Sequence, residues 1–476
     1  MERRSFLKAS LAGGALAGGL GYYWYRQPGK NEFIAQTTDV QMLGEDYPNT
    51  SVWAFNDQIP GPLIRRKQGD TLAIRFTNRL PQPSTIHWHG IRLPNAMDGV
   101  PGITQAAVKS GEHFDYQFAL PDAGTYWYHP HVATYEQIGR GLYGAIIVEE
   151  RERIDVDEDI LMVVSDIFLD KQGQIKDGFQ SLHDAAHAGR LGNVILVNGQ
   201  KARPKTMLRP GSRVRLRLIN ASSARIYRLK FHRVAPLIVA IDGHPCPVTA
   251  YKDTLYFSPG NRYDFIIDVP REEQTLMMLE DEFFPAMRNT LALFGTSNQS
   301  PLPARAPFQG LPPNAMMIED HRNAEKITLT IEGGALSNKA SRESIWLMNG
   351  KGNSHSHLDA HGNAPEPVFT VDQGCTVHCM IDNQTAWFHP MHFHGVVLRE
   401  RQKDGRWGPA KDSTLVWPFE KQEIMFVAEA PGDWMIHCHV SEHHHSGLMG
   451  TFRVSNICRT TNPSKGSPTK APATKT

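Results

Sequence analysis

Apolar residues along this chain come in short runs of five to eight, alternating with polar ones and separated by turn residues. Three such runs align without gaps: GDTLAIRFTN from Gly69, GSRVRLRLIN from Gly211 and GCTVHCMIDN from Gly374. Each starts with Gly, alternates as a half-buried strand does, and ends in Asn nine positions on. Asn78, Asn220 and Asn383 would then open the following turn. Upstream of them, NDQIPGP (56–62), VNGQKARP (197–204) and MNGKG (348–352) begin each unit in a similar way. The pattern predicts an all-β protein of three related domains, at about 30–150, 151–310 and 320–458. A chain of 476 residues with 32 Pro and 40 Gly, in which long helical periods are hard to find, agrees with that division.

Composition removes some function classes. The net charge is +1, 21% of residues are charged, and no basic block offers a nucleic-acid surface. The N-terminus, MERRSFLKASLAGGALAGG, places Arg3-Arg4 ahead of an Ala/Gly/Leu stretch, as a twin-arginine export signal does. Residues 1–29 are therefore expected to be a signal, cleaved near Ala15-Leu16-Ala17, or an uncleaved membrane anchor, in a periplasmic or extracellular protein. Residues 459–476 read as a disordered Pro/Ser/Thr/Lys tail. Of the five cysteines (Cys246, Cys375, Cys379, Cys438, Cys458) at least one must be unpaired, and Cys375 and Cys379 are too far apart on one strand to bridge.

Histidine follows the repeat. Eighteen and twenty residues after Gly69 stand His87 and His89, in HWHG; the same offsets after Gly374 reach His392 and His394, in HPMHFHG. In the middle unit those offsets fall on Leu229 and Phe231. The outer units also end alike: GTYWYHPH holds His129 and His131, and GDWMIHCH holds His437 and His439, five and seven residues past a Gly. Side chains two apart on a strand share a face, so each HxH aims two imidazoles at one place. Four pairs supply eight nitrogens, more than one four-coordinate ion needs and suited to a cluster of about three metals.

Cys438 lies between His437 and His439 and so faces the other way. His389 is an odd number of residues from His392 and His394, and His443 follows Cys438 by five, beyond the strand end. Together Cys438, His389 and His443 form a His₂Cys trigonal set, the ligand pattern of a blue-copper electron-transfer site. One strand would thus serve a mononuclear site on one face and a cluster on the other.

HWHG, HPH, HPxHxHG and HCHxxxH, in this order and spacing, resemble the multicopper oxidases, a laccase-like family, over residues 35–456. The resemblance implies three Greek-key β-sandwich (cupredoxin) domains and four copper ions. One-electron donors, phenols or aromatic amines, would be oxidised at a type 1 copper while O₂ is reduced to water at a trinuclear cluster. It assigns His389, Cys438 and His443 to type 1, His87 and His392 to type 2, and His89, His129, His131, His394, His437 and His439 to type 3. Ten residues after Cys438, at the axial position, stands Leu448, which cannot coordinate; a one-residue slip would bring Met449 there. Asp98, in NAMDG, matches an acid that the family uses in proton delivery, or is simply an Asp-Gly turn. Where some members carry Glu after the last type 1 histidine, this chain has His444.

Three further readings complete the expectations. His355, His357 and His361 read as a solvated loop, and His444 and His445 as surface residues. Met277-Met278 and Met316-Met317 read as core, which weighs against a methionine-rich metal-oxidising site. An oxidase for Cu(I) or Fe(II) and a copper-binding scaffold without turnover are the alternative functions. A monomer is expected, since three domains can enclose the whole copper set.

Overall fold

The computed structural model describes residues 32–456 apart from 203, 204, 273, 285, 318, 340, 342, 343 and 354–365. The proposed signal, the tail, Cys458 and the His355, His357 and His361 loop therefore lie outside the described residues.

The chain is all-β, folded as sheets packed in pairs. Residues up to Glu149 form two four-stranded sheets, the middle stretch a seven- and a five-stranded sheet, and the last stretch a six- and a five-stranded sheet. The three repeated runs occupy equivalent places. Thr71–Asn78, Arg213–Asn220 and Thr376–Asn383 each run parallel to the first long strand of their unit, Glu32–Val40, Glu158–Ile167 or Glu325–Gly333. Gly69, Gly211 and Gly374, just before these strands, all take positive φ.

The closing asparagines act alike. Each amide donates to two backbone carbonyls, one after its own turn and one in a distant segment: Gln82 and Val108 for Asn78, Arg225 and Phe257 for Asn220, Trp387 and Trp417 for Asn383. Each Oδ1 accepts the N–H two residues on. The repeat is thus a turn lock as well as a strand.

Two expectations change here. Arg213–Asn220 is buried along its whole length rather than half-buried. Its arginines are covered because they are paired: Arg215 and Arg217 reach Asp264 at 2.6 and 3.2 Å, and Arg217 also reaches Thr125 of the first unit. In addition, the turn after Asn220 is one residue longer than the other two, since its first carbonyl partner is five residues on rather than four. The gapless count to Leu229 and Phe231 therefore slips by one. Tyr227, Leu229 and Phe231 point into the core, and Arg228, Lys230 and His232 take the outer face. In the first unit the inward residue of HWH is Trp88, and His87 and His89 lie on the other face.

Met277 is buried as expected, whereas Met317 is 47% exposed: it lies in the irregular segment after the middle sheets, not in a core. No helix among the described residues is long and apolar enough to cross a membrane.

Candidate metal centres

The strand Gly432–Cys438 carries both centres, and its neighbours explain how. It pairs antiparallel with His389–Phe393, setting His437 opposite His392 and Cys438 opposite Met391. Opposed residues in an antiparallel ladder share a face, so the parity read from HCH extends across the pair.

On the sulfur face, Cys438 Sγ lies 3.6 Å from His389 Nδ1 and 3.7 Å from His443 Nδ1, and the two nitrogens are 3.2 Å apart. All three residues are fully buried. The other ring nitrogens are engaged: His389 Nε2 donates to Thr385 Oγ1 at 2.8 Å, and His443 Nε2 donates to the His187 carbonyl at 2.6 Å. Those bonds leave both Nδ1 lone pairs facing the sulfur. Trp346 closes the site, with its ring 4.3 Å from His443 and 4.9 Å from His389 and its indole N–H on the Ala185 carbonyl. Cys438 N–H donates to the Leu448 carbonyl, and His437 pairs with Met449. Leu448 therefore shares the sulfur face, while Met449 packs beside Val100 and Met435 on the other.

The opposite face looks into the seam between the first and third units. His87 and His89 come from a short strand paired with Gly124–His129, which sets His87 opposite His129. Donor atoms of His87, His392 and His394, of His87, His89 and His129, and of His131, His394 and His437 lie within 4.8 Å of one another. His439 joins them, with its ring 5.0 Å from His89 and 5.3 Å from His129. All eight sequence-predicted cluster histidines are thus brought together, and their groupings overlap at His87 and His394.

Backbone carbonyls orient four of these eight rings. Nδ1 donates to the Asp98 carbonyl from His87, to that of Pro130 from His129, to that of Asp412 from His392 and to that of Cys438 from His437. His87 Nε2, His129 Nε2 and His392 Nε2 are then buried without a hydrogen-bond partner, as are His89 Nδ1 and both nitrogens of His439. Each orphaned group would cost about 1–3 kcal/mol unless something fills the space between them. Burial holds His89, His129, His131, His392, His394 and His439 well below their usual pKa, so the rings are neutral lone-pair donors. Burial also lowers His443 to about 3 and pushes the Cys438 thiol up. A cation at the sulfur is what would hold it as thiolate. On this donor chemistry the residues fit copper at both places.

Asp98 sits in the Asp-Gly turn that the sequence allowed, and it also lies against the cluster histidines. It ends a short turn before Gly99, which takes φ of +79°, and it is 2% exposed with its carboxylate between two rings. Oδ2 accepts from His394 Nδ1 at 2.8 Å and Oδ1 lies 3.2 Å from His87 Nδ1, tying the first and third units together. His444 is a correction: it is buried, not on the surface, with its ring 4.6 Å from His437 and 5.2 Å from His131. The chain turns into a short helix, Ser441–His445, that folds this side chain back over the cluster.

Sequence reasoning missed Asp412. Its Oδ1 accepts from His89 Nε2 at 3.1 Å and its carbonyl from His392, while both its oxygens take Arg262 of the middle unit. All three units therefore meet at one carboxylate. Its only trace in the sequence is indirect: Gly90 of HWHG, at φ +85°, has no room for a Cβ beside Arg262 and Asp412.

Sheets packed in pairs, a buried His₂Cys trio and an adjoining nest of histidines define a copper-type redox protein. Family models described as Multicopper oxidase match residues 35–153, 158–300 and 337–457, and the chain belongs to that family. It is 29% identical over 435 residues to Multicopper oxidase MmcO of Mycobacterium tuberculosis, covering 84% of this chain and 82% of that protein. It is 24% identical over 587 residues to a Copper resistance protein A homolog of Pseudomonas syringae pv. tomato, covering 95% and 99%. The crystal structure of a multi-copper oxidase from Pseudomonas thermotolerans superposes with a TM-score of 0.79 at 32% identity, covering 89% of this chain and 98% of that one. The protein is accordingly an oxidoreductase that uses O₂ and a reducing substrate, with copper as its cofactor.

Proposed function

We propose that the chain is a four-copper, laccase-like oxidase of phenols and aromatic amines. Copper, when bound, supplies a one-electron acceptor at the sulfur site and the O₂-reducing chemistry at the cluster. The balance is four phenols and one O₂ to four phenoxyl radicals and two waters. His389, Cys438 and His443 would hold type 1 copper, with the apolar Leu448 on the same face as the sulfur. His87 and His392 would hold type 2, and His89, His129, His131, His394, His437 and His439 the type 3 pair. Asp98, between His394 and His87, is placed to orient both rings and to hold a proton beside them.

The observation that carries this reading is the two-faced strand: the peptide of Cys438 joins the sulfur face directly to His437 and His439 on the other. In copper-loaded protein, Cys438→Ser should abolish the blue absorption and donor oxidation while the cluster still fills. His131→Ala should keep the colour and lower O₂ consumption more than about 100-fold. Loss of the blue band in His131→Ala with type 1 copper still bound would overturn the division.

The same His389–His443 pair could accept electrons from Cu(I) or Fe(II), and three relatives are named for copper resistance. Turnover of a phenol against Cu(I) by the purified protein separates the two, and a strong preference for the metal ion would sink the phenol reading. The twin-arginine pair and the enclosed copper set support a folded, exported monomer. Retention of an Arg3→Lys, Arg4→Lys variant in the cytoplasm would test the route, and light scattering the monomer.

A further inference from the structure

Beside the sulfur site, the middle and third units bring aromatic rings together at the surface. Phe388 precedes His389, and Trp417 follows Val416, the residue paired with His389, so each stands one residue along the chain from the pair that carries that ligand. Their centroids are 4.9 Å apart. Tyr256 of the middle unit meets Trp417 at 4.9 Å, and Phe283 lies 6.3 Å from Tyr256 and 6.2 Å from Phe388. These rings are not sealed into a core: Trp417 is 37% exposed and the other three are half-buried.

Three cations stand along one edge of these rings. Arg228 is the strand partner of Tyr256 and so shares its face. Arg228 and Lys230 each stand 3.6 Å from Glu282, and Arg288 stands 3.5 Å from it. The acids turn inward. Glu282 is 8% exposed, Asp281 is buried with Oδ1 accepting the N–H of Arg228 and Phe283, and Glu280 is buried against His232. The cations face out, at 36%, 38% and 62% exposure.

We propose that this aromatic shelf with its cationic rim is the docking site for phenolic donors that carry a carboxylate or sulfonate. The ring would lie against Trp417 and Phe388, and the acid would face Arg228, Lys230 and Arg288. This deepens, and rests on, the phenol reading. The phenol O–H bond breaks, its proton goes to water, one electron enters at His389, and a phenoxyl radical leaves. Four such events match one O₂ reduced to two waters.

The test uses copper-loaded protein and two probes that differ only in charge: 4-methoxybenzoate and its neutral amide, 4-methoxybenzamide. Calorimetry at low salt should show the carboxylate binding about three- to fivefold tighter, with the difference shrinking in high salt. Arg228→Gln should remove most of that preference while the blue absorption stays unchanged. Trp417→Ala should weaken both probes by about three- to tenfold. Equal affinity for the two probes, or preference and affinity both unmoved by these variants, overturns the proposal. Turnover is read separately with 4-hydroxy-3-methoxybenzoate. If the probes bind as described and this phenol is not oxidised, the dock stands and the phenol reading fails. If the phenol is oxidised with a kcat/KM that neither variant changes, the dock is refuted and the phenol reading stands.

Discussion

The first and middle units place the same strand after the same asparagine lock and give its outer face opposite chemistry. In the first, the inward residue is Trp88 and the outer pair is His87 and His89, buried in a seam against the third unit. In the middle, the inward residues are Tyr227, Leu229 and Phe231, and the outer ones are Arg228, Lys230 and His232, half exposed. The backbone is not what makes a metal centre. A second unit that covers the outer face and drives water from eight imidazoles does.

That comparison can be strained hardest with acid. In copper-free protein, eight histidines are held low chiefly by burial: His89, His129, His131, His389, His392, His394, His439 and His443. The unfolded chain would protonate them near their ordinary 6.5 while the folded one does not, so the unfolded state binds more protons below that pH. Stability is therefore intact above about 6.5 and falls as pH drops through it, by up to about 1.4 kcal/mol per pH unit for each such ring. Denaturant unfolding of the copper-free protein at pH 7.5 and 5.5 should differ by several kcal/mol, and copper should flatten the dependence. A flat profile without copper would mean that these rings are hydrated.

How much of this was legible in the chain depends on distance. The HxH pairs, the His₂Cys set and the parity that divides them are local, fixed by strand geometry over a few residues, and they could be read directly. Asp412 could not: it matters because Arg262, His89 and His392 converge on it from three units, and no short spacing records that. His444 was misread because a run of histidines is polar in composition; only the turn into Ser441–His445 decides that its ring folds inward. Leu229 and Phe231 were misplaced by one position because a single extra turn residue reverses parity, and a gapless count carries no sign of it.

That one-residue slip makes a second test. Leu229→His places an imidazole in a filled apolar core and should cost about 3–5 kcal/mol. Lys230→His, one position on and on the outer face, should change stability by less than about 0.5 kcal/mol. Equal costs in thermal or denaturant unfolding would refute the assigned parity.

The smallest effect is expected where an apolar residue has taken a position on the metal side. Leu448 lies on the sulfur face because Cys438 donates to its carbonyl, and the next residue, Met449, turns its thioether away towards Val100. In the middle unit a buried leucine on this scale only packs. In the third it would also deny the type 1 copper an axial donor, which favours the reduced ion and raises the potential. Leu448→Met conserves volume, so its stability cost should stay under about 1.5 kcal/mol. The thioether would stabilise the oxidised ion, and the midpoint of the blue absorption in a redox titration should move down. Because Met449 is already present next door, an unmoved midpoint at full copper content would mean that residue 448 does not face the copper, and the register between His437 and Met449 would have to be wrong by one.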